Sequence, residues 1–184
     1  MDNSADDSLA KSINDSNKRP IYKSLDPKLL AGIADKDVEQ AVVEYVATKL
    51  DKHDEKEKEI LERLPKGARA LWLTWIVEGE VNNGGFNQYY WNSEDRFSAD
   101  AVDAFRFFSA LEHASLMEEA NRVRSQERNS TKQFKDRGTL EAFSDSYKES
   151  KLGPLDDRFY AIKERLSALR IAKIRSEPEL FSGE

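Results

Sequence analysis

The sequence predicts an all-α protein, an irregular bundle of about six to eight helices around a central, buried apolar helix. Three observations carry that expectation. Apolar residues recur three and four positions apart in several segments, which places them on one helical face. No stretch alternates apolar and polar residues with β-branched enrichment, as a half-buried strand does. The most apolar run, Ala70-Leu71-Trp72-Leu73-Thr74-Trp75-Ile76-Val77, is apolar around its whole helical circumference, the pattern of an enclosed helix.

Residues 1–20 are rich in Ser, Asn and Asp, with Leu9 and Ile13 as their large apolar residues. They cannot bury enough surface to offset the entropy of ordering, so a flexible tail is expected there, with residues 21–184 as one helical domain. Pro20 and Pro27 punctuate the next stretch, where Ile21, Tyr22, Leu25, Leu29 and Leu30 are expected to pack on the domain. A helix follows from about Asp37 to Leu50, with Asp35 as its N-cap and Val38, Ala41, Val42, Tyr45, Val46 and Leu50 as its stripe. Residues 51–59 alternate acid and base, which suits a solvated helical surface. Ile60, Leu61 and Leu64 return to the core, and Pro65 sits where its missing N–H costs little, at the first turn of the apolar helix.

Ser98 is expected to cap a helix bearing Ala101, Val102, Ala104, Phe105, Phe108 and Leu111. Ser115-Leu116-Met117-Glu118 has the form of a capping box, which predicts a helix break near His113 to Ser115. Thr139 caps a further helix through Tyr147, and Lys151-Leu152-Gly153-Pro154 interrupts the chain. The last helix is expected over about Leu155 to Ile174, ended by Pro178, with Leu180 and Phe181 tucked against the body.

The chain is organised around Glu80-Val81-Asn82-Asn83-Gly84-Gly85-Phe86-Asn87-Gln88-Tyr89-Tyr90. Paired glycines reach the left-handed backbone region without a Cβ clash, so they end or bend a helix. Phe86, Tyr89 and Tyr90 then fall on one helical face. The expected geometry is a buried helix, a Gly-Gly corner and a short aromatic helix folding back. Glu80, Asn82 and Gln88 flank the corner and are placed to tie its backbone groups together.

Net charge is −6, and it is unevenly spread. Between Glu78 and Glu119 nine acids face two bases, whereas between Ala120 and Arg137 six bases face two acids. No cysteine is present, which excludes disulfides, thiol catalysis and Cys-based zinc sites. No apolar run approaches the length of a membrane span, and the acidic start is unlike a secretory signal, so a cytoplasmic protein is expected. The two histidines, His53 and His113, form no ligand pair, so neither metal nor cofactor is expected. Gly84-Gly85 lacks the Lys-Ser/Thr of a phosphate-binding loop, and Glu78 and Glu80 would repel an anion. The acidic surroundings of the aromatics argue against direct nucleic-acid binding, which rests on Lys and Arg.

The run Glu80-Val-Asn-Asn-Gly-Gly-Phe-Asn-Gln-Tyr resembles the signature of a bacterial all-helical family, long catalogued as a domain of unknown function, one member of which is described as a DNA mimic. Leu64-Pro65, Trp91-Asn92-Ser93 and Pro154-Leu155-Asp156-Asp157-Arg158-Phe159-Tyr160 extend the resemblance over roughly Leu61 to Phe181. It implies a non-enzymatic protein that binds a basic, DNA-binding partner such as a transcription factor. Mimicry needs rows of carboxylates, since duplex DNA carries one charge per about 1.7 Å of axis. Asp100 and Asp103 are one helical turn apart; Glu94 and Asp95 precede them and Glu118 and Glu119 follow on the next helix. These six are the expected partner surface, and Glu80, Asn82, Gly84, Gly85, Phe86, Gln88 and Tyr89 the structural motif. Two rival readings stay open: a toxin-neutralising or scaffold module that also uses apolar surface, and an enzyme with a pocket lined by Glu80, Asn82, Asn87 and Gln88. A monomer or homodimer suits each of them.

Overall fold

The computed structural model describes residues 20–50 and 56–184. The expected tail, up to residue 19, and residues 51–55 with His53 lie outside that range. Among the described residues the architecture is all-α, with no strand beyond an isolated bridge between Leu25 and Gly183.

Helix α1 (Pro27–Gly32) starts at Asp26, whose side chain accepts the Leu29 N–H, with Pro27 in the first turn. Its one buried residue is Leu30, so no periodic stripe marks this helix in the sequence. Helix α2 is Asp35–Leu50, so Asp35 joins the first turn rather than capping it. Helix α3 is Glu57–Arg63 and α4 is Lys66–Ser93, preceded by Pro65. Then come α5 (Ser98–Phe107), α6 (Leu111–Lys135), α7 (Leu140–Glu149), α8 (Gly153–Ala161), α9 (Leu166–Ser176) and a 3₁₀ turn at Pro178–Phe181.

Helix α4 is the axis of the fold. It packs on α2, α5, α8 and the 3₁₀ turn. Its first half joins Val38, Val42 and Val46 of α2, Ile174 of α9 and Phe181 in one apolar cluster. Its second half supplies Val77, Val81, Phe86, Tyr89 and Tyr90 to another, with Phe105, Met117, Leu155 and Phe159. Leu169 packs against both clusters. Enclosure is incomplete, because Trp75 stays 39% exposed, stacked on Trp72. Phe181 is fully buried, as expected; its ring and the Leu180 carbonyl both lie 2.8 Å from where a Cβ on Gly67 would sit. Glycine is therefore what lets the C-terminal turn seat against α4.

Arg170 fastens three helices. Its guanidinium is 1% exposed and donates to Thr74 Oγ1 on α4 at 3.0 Å, Glu39 on α2 at 2.7 Å and Glu78 on α4 at 2.6 Å. A buried cation survives there because carboxylates and a hydroxyl replace its water.

Two expected boundaries fall elsewhere, and Glu164 explains both. Helix α6 runs unbroken through Ser115-Glu118, so the capping-box reading is corrected. The break comes earlier, where Ser109 takes a positive φ of 59°. The cap of α6 arrives from far along the chain: Glu164 accepts the N–H groups of Glu112 and His113 at 3.1 and 3.4 Å, and its carboxylate lies 2.8 Å from His113 Nδ1. To reach that place the chain leaves helical geometry at Ile162, splitting the expected last helix into α8 and α9. Burial pushes the Glu164 pKa up, but the bonds from the His113 ring and the two N–H groups outweigh it and hold the carboxyl below its ordinary range. Thr139 caps α7 as expected, accepting from Ala142 N at 3.1 Å, whereas Ser98 begins α5 without capping it.

Candidate functional site

The corner forms where the glycines predict it. Helical geometry fails at Gly84 (φ −163°, ψ 30°) and Gly85 (φ 73°, ψ 178°), while α4 resumes on the far side. The bend is large. Asn92 Nδ2 donates to Glu80 Oε2 at 2.8 Å although the residues are twelve apart. A straight helix would hold their Cα atoms roughly 18 Å apart, beyond the roughly 11 Å that the two extended side chains and their hydrogen bond can span. The aromatic half therefore turns back toward the first, with Phe86, Tyr89 and Tyr90 each 1% exposed.

Gln88 donates to Glu80 across the corner at 2.7 Å, side chain to side chain rather than to the backbone groups they were expected to tie. Asn82 is exposed and makes no such bond. The backbone itself is held by residues that sequence reading passed over. Asp156 Oδ1 accepts the Phe86 N–H at 2.7 Å, the Tyr160 hydroxyl donates to the Val81 carbonyl at 2.7 Å, and the Tyr147 hydroxyl donates to the Gly84 carbonyl. Burial raises the Asp156 pKa, the Phe86 N–H pulls it back, and Asp157 pushes it up again; the net direction is upward. A Cβ on Gly85 would stand 2.7 Å from the Asp156 carboxyl carbon, so the bare backbone is what admits this carboxylate. Asp156 and Tyr160 lie in the Pro154–Tyr160 run, and that run was the available signal.

Asn87, read as a possible pocket polar group, is 4% exposed and donates to Ser146 Oγ at 2.8 Å. Glu80, Asn87 and Gln88 thus spend hydrogen bonds on neighbouring side chains, an arrangement that fixes the bend.

The six carboxylates chosen for partner binding follow the corner and continue onto the α5–α6 pair. Asn121 of α6 donates to the Ser98 carbonyl at the start of α5, and Arg106 near the end of α5 reaches Glu118, so the helices run antiparallel. Glu94 is exposed with φ 54°, just past the C-terminus of α4. Asp95 is bound by Arg124 at 2.7 Å and approached by Arg128 at 3.6 Å. Asp100 has no ion-pair partner among the described residues and is half-buried. Asp103 and Glu118 share Arg106, and Glu119 pairs with Arg158 of α8 at 2.8 Å. Asp95, Asp103, Glu118 and Glu119 are therefore paired with guanidiniums rather than forming a bare acidic row, and Glu118 turns toward α5 whereas Glu119 turns toward α8. Sequence spacing identified the acids and missed the arginines, since Arg124 and Arg158 come from later helices. Among the described residues, no helix is long and apolar enough to cross a membrane.

A family model described as DMP19-like protein matches residues 62–177, well over half of the chain. That range takes in the corner, the α5–α6 pair and the clamp from α8. Comparison with curated proteins and with solved structures gives no match.

Proposed function

The chain belongs to the DMP19-like protein family, a family of DNA mimics, and from that premise we propose that it binds a basic DNA-binding protein in place of DNA and so antagonises a transcription regulator. The family is non-enzymatic in general. The observation that supports the proposed surface is that Asp103 of α5 and Glu118 of α6 share Arg106 beside a groove between the two helices, with Asp100 and Glu119 as their neighbours in sequence. Carboxylates one turn apart have Cβ atoms about 5–6 Å apart, near the phosphate spacing along a strand.

The exposed arginines, Arg106 and Arg158, set the character of binding. Exposed ion pairs are worth roughly 0.2–1 kcal/mol each, so a partner's cations can displace these two at small cost. Association should be fast, salt-sensitive and reversible rather than tight. The test uses the basic proteins that the immobilised chain retains from an extract of DNA-binding proteins, measured against salt. Asp100→Asn, Asp103→Asn, Glu118→Gln and Glu119→Gln combined should weaken binding by tenfold or more and flatten the salt dependence. Unchanged affinity would reject this surface.

A scaffold-type reading keeps one supporting observation. Leu111 is 63% exposed at a 500 Å³ groove between α6 and α8, shared with Leu116, Ile162 and Arg158. A retained partner that does not bind DNA, held with little salt dependence, would favour that reading.

A further inference from the structure

Arg106 occupies an unusual position on the α5–α6 surface. Its Nη1 donates to Asp103 Oδ1 at 3.2 Å on its own helix, and its Nη2 donates to Glu118 Oε1 on the other. All three side chains line a 610 Å³ groove between the helices, together with apolar Ala99 and Val102, polar Asn121 and a second arginine, Arg122, for which no carboxylate partner is seen among the described residues. Yet the guanidinium is 51% exposed, and Asp103 is 80% exposed. The two carboxylates are therefore held in register by a cation that water and a partner can both reach.

We propose that Arg106 is an internal competitor: it fills the place that an arginine of the bound protein takes, and so sets both the affinity and the arginine preference of the surface. The proposal rests on the DNA-mimic reading and names the group that the mimic recognises. Proteins that read DNA contact phosphates with Arg and Lys, and they read guanine most often with a bidentate Arg. A planar guanidinium has donors on separate edges and can satisfy two carboxylates at once; an ammonium is a point charge without that fork. The Asp103–Arg106–Glu118 bridge already displays this geometry within the chain. Exchange of one guanidinium for another conserves both charge and hydrogen bonds. The wild-type surface thus gains little from this exchange, which keeps the complex reversible.

The probes are a short arginine-rich peptide and its lysine-for-arginine counterpart, titrated into wild type, Arg106→Gln, and the variant combining Asp100→Asn, Asp103→Asn, Glu118→Gln and Glu119→Gln. Half-exposed Arg106 tolerates substitution. Arg106→Gln should bind the arginine peptide about fivefold more tightly than wild type, with a smaller gain for the lysine peptide. Adding Asp103→Asn and Glu118→Gln to Arg106→Gln should abolish that gain. No gain, or an equal gain for both peptides, overturns the competitor role, the latter because bulk charge alone would explain it. If wild type and the fourfold variant bind both peptides alike, the mimic surface itself fails. If they differ while Arg106→Gln is silent, only the competitor role fails.

Discussion

Gly85→Ala should cost the fold far more than Gly84→Ala, although the two glycines are adjacent. Gly85 holds φ 73° and ψ 178°, a region that side chains avoid. Forcing a Cβ into it costs about 1–3 kcal/mol. The same Cβ would sit 2.7 Å from the Asp156 carboxyl carbon, and Asp156 has to move to relieve the clash. Moving it breaks the 2.7 Å bond to the Phe86 N–H, a charge-assisted bond worth about 1.5–3 kcal/mol. The combined loss is about 2.5–6 kcal/mol. Gly84 has an extended φ of −163°, which any residue adopts. Its added Cβ would meet the far end of Gln88, with the amide carbon at 2.9 Å and the Tyr147 hydroxyl at 3.0 Å. Gln88 can swing away, so Gly84→Ala should cost about 1 kcal/mol. Urea unfolding of both variants at neutral pH measures the difference, and Asp156→Ala separates its parts. In the Asp156→Ala background, Gly85→Ala should retain only the backbone strain, about 1–3 kcal/mol. Equal costs for the two alanines, or an unchanged Gly85 cost in that background, would refute this account of the corner.

Glu164→Gln removes the charge that caps α6 and should cost about 1–2 kcal/mol at neutral pH. Because the folded Glu164 sits below its ordinary pKa, its stabilisation is complete above the unfolded value and is lost as pH falls through the folded one. Urea midpoints taken from pH 7 down to pH 3 should therefore fall more steeply for wild type than for Glu164→Gln; parallel curves would show that this carboxylate does not drive the slope. Arg170→Met leaves Glu39 and Glu78 without their shared cation and should cost about 3 kcal/mol, of which a further Glu39→Gln and Glu78→Gln should restore part. A second-step recovery below the error of the denaturation curves would mean that the triad is held by packing instead.

What the sequence made legible was local. Thr139 announces α7 because a cap needs only its own hydroxyl and an N–H three residues on. Phe86, Tyr89 and Tyr90 announce a buried face because spacing alone fixes it. Gly85 announces the bend because its backbone angle admits little else. The misreadings are non-local. Glu164 caps a helix that begins more than fifty residues earlier, so a Ser-to-Glu pattern inside α6 looked like the better start. Asp156 completes the corner from seventy residues away. The candidate surface shows the same limit, because acids can be counted along a chain, whereas the pairing of Asp95 with Arg124 and of Glu119 with Arg158 depends on how helices pack. Charge totals over a segment therefore overstated how bare the carboxylates are.

The central claim is that this chain takes the place of DNA on a basic protein, and displacement measures it most directly. DNA-binding proteins loaded on immobilised duplex DNA should be released by the wild-type chain at low salt, more weakly as salt rises, and hardly at all by the fourfold Asp100, Asp103, Glu118 and Glu119 variant. Release by wild type and variant to the same extent, or no release of any DNA-bound protein by the wild-type chain at low salt, would contradict it.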